Sequence, residues 1–150
     1  MAEVIESPEN LKPFLQGDEF DAVMNYNFQF ICSEFFINKG INAVTFGEKL
    51  DSLRNAFSAD ISLAMQNLLG SHDTDRPLSR VKNKGIASFL EWQDYFDIGK
   101  AKNHEYKTSK PSPEDKKLFR LMVVFQMCYP GSPMIYYGDE AGMWGAGDPD

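Results

Sequence analysis

Apolar and polar positions change over in blocks along this chain, and the blocks predict helices and strands by turns. The strongest stripe is Leu50, Leu53, Phe57, Ile61, Ala64 and Met65, three or four apart with charged residues between. It predicts a helix over about 47–66. A second stripe, Leu118, Leu121, Met122, Phe125 and Tyr129, predicts a helix ending near 129. Its start is marked by Ser112-Pro113-Glu114-Asp115: a cap, a proline at the first helical position, then two acids. Ser7-Pro8-Glu9 gives the same signal for a short helix finishing near Gly17. Phe28, Ile31 and Phe35 form a third stripe within 28–38. Between the stripes lie short apolar runs, at 2–6, Phe20–Tyr26, Asn67–Asp73 and Met134–Tyr137, each bounded by turn residues or a helix. These predict strands. A polar stretch at about 77–111 reads as an insertion, with an aromatic run Phe89–Phe96 that predicts a short helix in its middle.

The resulting order is strand, helix, strand, helix, helix, strand, insertion, helix, strand. Such alternation implies an α/β fold of parallel strands with helices packed outside them. Right-handed crossovers bring the C-terminal ends of all strands to one face. Glu3, Asn25, His72, Asp73, Asp139 and Glu140 are expected on or near it. Two apolar runs end in polar clusters there: Leu68-Leu69-Gly70-Ser71-His72-Asp73 and Ile135-Tyr136-Tyr137-Gly138-Asp139-Glu140.

A net charge of −7 argues against a nucleic-acid partner, since little here neutralises phosphate. The cluster Arg80, Lys82 and Lys84 is too short to change that. No apolar run reaches membrane-spanning length, and the acidic start Met1–Glu6 does not read as a signal peptide. Cys32 and Cys128 lack metal-ligand or CxxC spacing and are expected as buried thiols. Aromatics at 13% are mostly expected in the core, with Tyr26, Trp92, Tyr95 and Trp144 as candidates to stack on flat ligands. The start at Ala2-Glu3-Val4-Ile5 and the stop at Asp148-Pro149-Asp150 are both abrupt and suggest a piece of a longer protein.

Three segments carry a resemblance: Asn67–Arg76, Phe20–Tyr26 with Gly17-Asp18 before it, and Gly131–Met143 with the tail Trp144–Asp150. Together they resemble the α-amylase family, most closely its neopullulanase, cyclomaltodextrinase and maltogenic amylase branch. The resemblance implies an eight-stranded (β/α) barrel with its active site at the C-terminal strand ends. By that likeness the chain is half of a TIM barrel, strands five to eight, forming one partial catalytic domain over 1–150 with the insertion at about 77–111.

The family cleaves α-glucan bonds with retention, using a nucleophilic Asp, a general-acid Glu and a sugar-binding Asp. By resemblance Glu3 matches the general acid and Asp73 the transition-state stabiliser. Glu6 competes with Glu3 but lies two or three residues too far along. His72 matches a sugar-hydroxyl ligand, and Asn25, Tyr26 and Arg76 are further substrate-binding candidates. Arg76 is also expected to pair with a nearby carboxylate as scaffold, and Asp139-Glu140 to serve structure at the barrel mouth. The nucleophile belongs to an Arg-x-Asp-Ala block that these 150 residues do not contain. Retention needs nucleophile and acid about 5–5.5 Å apart, so the chain alone is expected to be inactive.

The implied partner is an α-glucan or maltooligosaccharide, with no nucleic acid and no membrane. No cofactor is implied. Calcium is common in the wider family, but the sequence offers no liganding cluster to argue it. Two alternatives stand beside the hydrolase: a non-catalytic glycan-binding half-barrel, and a unit that self-associates through exposed sheet edges.

Overall fold

The computed structural model describes residues 1–84, 94 and 97–147. Three short strands, β1 (Met24–Asn25), β2 (Gln66–Leu68) and β3 (Ser132–Met134), form a parallel sheet in the order β1-β2-β3. Met24 pairs with Gln66, and Asn67 with Pro133. Ala2 adds a parallel bridge to Val23 on the far side of β1. Four consecutive parallel positions therefore follow one another in chain order, as the alternation of blocks predicts. The strands are much shorter than the apolar runs: Phe20–Tyr26 contributes two residues and Asn67–Asp73 only its beginning.

Helices cover the sheet. Ser7 caps α1 (Pro8–Leu11), which tightens into a 3₁₀ turn at Lys12–Leu15. The helix α2 (Tyr26–Cys32) widens into a π-helical turn at Ser33–Asn38, closed by Lys39 in the left-handed region. The stripe expected as one helix over 47–66 is two helices, α3 (Ala43–Asn55) and α4 (Ala59–Ala64). The apolar spacing runs across the break, but the Ser58 hydroxyl accepts from the Ile61 N–H and starts a new helix there. α5 (Pro77–Lys82) occupies the beginning of the expected insertion. Ser112 and Asp115 form a reciprocal capping box for α6 (Pro113–Cys128), with hydrogen bonds of 3.1 and 2.9 Å.

Val23 and Met24 face opposite ways, as a strand requires. Val23 packs with Ala2, Leu11, Leu15 and Met65, while Met24 packs with Tyr26 and Leu68. The largest apolar cluster lies among α2, α3, α5 and α6. Phe28, Phe36, Phe46, Phe125 and Tyr129 meet there, with ring centres 5.1–6.1 Å apart. The high aromatic content thus largely serves the core. Cys32 is buried in this cluster, whereas Cys128 is exposed on α6, against expectation.

Two devices fix β2 against β3. Gly131 turns the chain into β3 at φ +123°, and a side chain there would collide with the Asn67 amide. Gln126 of α6, fully buried, donates from Nε2 to Asn67 O at 2.8 Å and Met134 O at 2.9 Å. Among the described residues no helix is long and apolar enough to cross a membrane.

Candidate active site

The loop after β2 and the N-terminal segment meet at one end of the sheet. His72 Nε2 lies 3.5 Å from Glu3 Oε1 and 3.7 Å from Asp73 Oδ1. All three side chains are about half exposed, so a ligand can reach them. Two residues buried beneath them set their positions. Tyr26, 1% exposed, donates its hydroxyl to Glu3 Oε1 at 3.1 Å and lies 3.0 Å from Ser71 Oγ. Burial pushes the Tyr26 phenol well above its ordinary range, against the Ser71 hydrogen bond, so it keeps its proton. With that one proton given to Glu3, the Ser71 hydroxyl must donate to Tyr26. Ser71 Oγ in turn accepts the Asp73 N–H at 3.2 Å. A continuous polarised chain therefore runs from the Asp73 backbone through Ser71 and Tyr26 to the Glu3 carboxylate.

The expected residues divide into those brought to this cluster and those drawn elsewhere. Glu3, His72 and Asp73 converge. Tyr26 joins them by its hydroxyl alone; its buried ring offers no face for stacking. Asn25, 3% exposed, caps α2 through Phe28 N and donates to Asn67 Oδ1 at 2.8 Å, so it serves the strand ends. Arg76 is directed to the loop after β3. Its Nη1 reaches Tyr137 O at 2.5 Å and Asp139 Oδ1 at 3.4 Å, and its guanidinium lies over the Tyr136 and Tyr137 rings. This is the scaffold geometry of the two expected for Arg76. Burial raises the Asp139 carboxyl to about 6, with Arg76 pulling it back. Glu6 accepts from the Asn10 amide at 3.0 Å at the start of α1. Trp144 is exposed; Trp92 and Tyr95 lie outside the described residues.

Sequence reasoning missed the supports. Ser71 is 1% exposed, and Thr74 accepts from Ser71 N at 2.9 Å and from Gln29 Nε2 at 3.3 Å. Hydroxyls flanking a His-Asp pair are the available signal, since short hydroxyl side chains bond locally to loop backbone. Arg80, read only as part of a short basic cluster with Lys82 and Lys84, heads the large fully buried side chains at 1% exposed and is paired with Asp75. The donor atoms of Glu3, His72 and Asp73 lie within 4.8 Å of one another. Two carboxylates and an imidazole do not make the six to eight oxygens that calcium takes. The set suits hydrogen bonding to a polyhydroxyl ligand beside a proton donor.

Residues 1–148 match the family described as "Alpha amylase, catalytic domain". The chain belongs to the α-amylase family. Among its relatives, neopullulanase 2 of Thermoactinomyces vulgaris is 38% identical over 137 residues, covering 91% of this chain and 18% of that protein. A cyclomaltodextrinase of Geobacillus thermopakistaniensis (strain MAS1) is 34% identical over 138 residues, covering 92% of this chain and 18% of that protein. The solved cyclic alpha-maltosyl-(1→6)-maltose hydrolase of Arthrobacter globiformis, in complex with maltose, superposes with a TM-score of 0.69. Its sequence is 30% identical, and the match covers 99% of this chain and 26% of that one. The chain thus spans about a fifth of the length of the curated relatives it matches, 18% in both cases. The parallel units of this α-amylase domain are part of a (β/α)₈ barrel. The resemblance to the neopullulanase and cyclomaltodextrinase branch is borne out.

Proposed function

We propose that this chain supplies the general acid and the transition-state-stabilising carboxylate of a retaining α-glucan hydrolase of the neopullulanase and cyclomaltodextrinase kind. The observation that carries the reading is the convergence of Glu3 and Asp73 on His72 from segments some seventy residues apart. The names of the relatives, which point to maltose-based and cyclic glucans, support the substrate class.

Glu3 gives its proton to the leaving glycosidic oxygen and later takes one from the attacking water. Its hydrogen bond from Tyr26 favours it over Glu6, which is engaged at the helix start. Asp73, with His72 beside it, accepts hydrogen bonds from ring hydroxyls. These strengthen as positive charge develops on the sugar, which lowers the barrier without tightening ground-state binding equally. Chemistry with retention also needs a nucleophile on the opposite face of the sugar. The 150 residues hold no Arg-x-Asp-Ala block, so this chain by itself is expected to show no turnover of maltooligosaccharide or cyclodextrin. In the full-length enzyme, Asp73→Asn is expected to cut turnover by orders of magnitude with the fold intact. A near-normal rate sinks the assignment.

One observation favours a second reading, association between copies of the half-barrel. Leu121, Val124 and Met127 on α6 and Tyr137 after β3 are 50–66% exposed. Sedimentation decides it: a stable monomer of these 150 residues counts against self-assembly.

A further inference from the structure

Beneath the exposed cluster, Asp75 is held from three directions. It is 5% exposed, and its partners Arg80 and Tyr106 are 1% and 7% exposed. Asp75 Oδ1 accepts from Arg80 Nε at 3.0 Å and also from Nη2, while Oδ2 accepts from the Tyr106 hydroxyl. Arg80 Nη1 extends to Ser33 Oγ, 3.3 Å away, in the π-helical turn after α2. Burial, reinforced by the Asp75 charge, keeps Tyr106 protonated and so a donor. Tyr106 comes from the segment 98–107, far along the chain from Asp75. That segment is tied down again where Asn83 exchanges hydrogen bonds of 3.0 and 2.9 Å with the Lys107 backbone. Gly99 presses on Asp75 so closely that a Cβ there would lie 3.3 Å from the Asp75 Cβ.

A buried ion pair adds little net stability, because desolvation offsets most of the attraction; here the bonds from Arg80 and Tyr106 hold Asp75 in one place. The geometry at stake here is that of Asp73, two residues away. Between them stands only Thr74, whose hydroxyl is engaged by Ser71 and Gln29. Asp73 itself has a half-exposed carboxylate near His72 and a backbone N–H on Ser71. Its placement is therefore inherited from its neighbours. We propose that Tyr106, acting through Asp75, is a positioning residue that sets where the Asp73 carboxylate stands relative to the sugar. This rests on the reading of Asp73 as the transition-state ligand. A displaced stabiliser loses transition-state contacts more than ground-state ones, so the loss falls on kcat rather than KM.

The test is a mutant cycle in the full-length enzyme. Tyr106→Phe removes one oxygen. At a temperature where circular dichroism shows the variant folded, kcat on maltooligosaccharide is expected to fall about tenfold with KM within about twofold. In an Asp73→Asn background the same substitution is expected to change the rate by less than about twofold. The cycle is closed by reading all four variants on α-maltosyl fluoride as well, whose leaving group departs without a proton. Unchanged kcat in the parent, or the full loss in both backgrounds, overturns the proposal. Should Tyr106→Phe not fold, Ser33→Ala removes the hydroxyl partner of Arg80 and enters the same cycle. Its expected loss is about threefold, and again an unchanged kcat or an additive loss overturns the proposal. A near-normal Asp73→Asn removes the reading of the site itself, whereas a strong Asp73 effect with a silent Tyr106 removes only the positioning role.

Discussion

The loop after β2 holds two regions side by side between His72 and Arg76. At His72 and Asp73 the side chains are about half exposed and lightly held. At Asp75 and Arg76 the charged groups are buried, and each is bonded to partners distant in the chain. In the proposed function the first region carries groups that meet a ligand; the second carries groups whose partners are protein. Catalytic side chains need free valences, and free valences leave a side chain loosely placed. The buried neighbours supply the rigidity that the exposed ones cannot. Asp75 ties the loop to α5 and segment 98–107, and Arg76 ties it to the turn after β3.

The sharpest way to break this contrast is to alter each region and read both activity and stability in an enzyme that carries these residues within a complete barrel. Asp73→Asn is expected to remove orders of magnitude of turnover while the urea midpoint stays close to the parent. Arg80→Ala is expected to act mainly on stability. It leaves Asp75 buried without its charge partner, a change that costs about 3–5 kcal/mol, read by urea unfolding. A parent-like midpoint means that the pair is not buried as described.

Asp139 gives a pH arm. Its carboxyl is raised to about 6 by burial, against an ordinary value of 3.8. Between those values the folded state keeps a proton that the unfolded state has lost. Its contribution to stability is therefore present at low pH and lost as pH rises through about 6, with a slope of at most about 1.4 kcal/mol per pH unit. Asp139→Asn is expected to flatten that limb of the stability–pH curve, and an unchanged slope removes Asp139 as its source. The smallest effect is expected for His72→Ala, within about 0.5 kcal/mol of the parent stability, because surface positions away from packed features tolerate change. A larger loss means that the exposed cluster helps to hold the fold.

Much of this was legible in the sequence, and the limits have physical causes. Ser112-Pro113-Glu114-Asp115 announces α6 because capping is local, and the structure starts the helix at Pro113 as read. The break at Ser58 was hidden because Leu53, Phe57 and Ile61 keep helical spacing across it. Short strands were overestimated, since apolar character reports burial while pairing depends on where neighbouring strands come into register. The Glu3–His72–Asp73 convergence followed from parallel topology plus the resemblance. Arg80 could not be read at all. A buried arginine is spelled like a surface one, and Tyr106, which shares Asp75 with it, lies in a segment with no periodic pattern.

Gln126 also bears on how the chain finds its structure. Its amide spans the backbones of β2 and β3 from a helix that precedes β3 by only a few residues. A slip of β3 along β2 would move one of the two carbonyls out of its reach while the other stayed. The offset between these strands is therefore measured by a helix rather than by the strands themselves. With only three residues paired on each side, the ladder has little means of counting its own rungs. Docking of α6 is therefore expected to accompany, or come before, the locking of β3 into place.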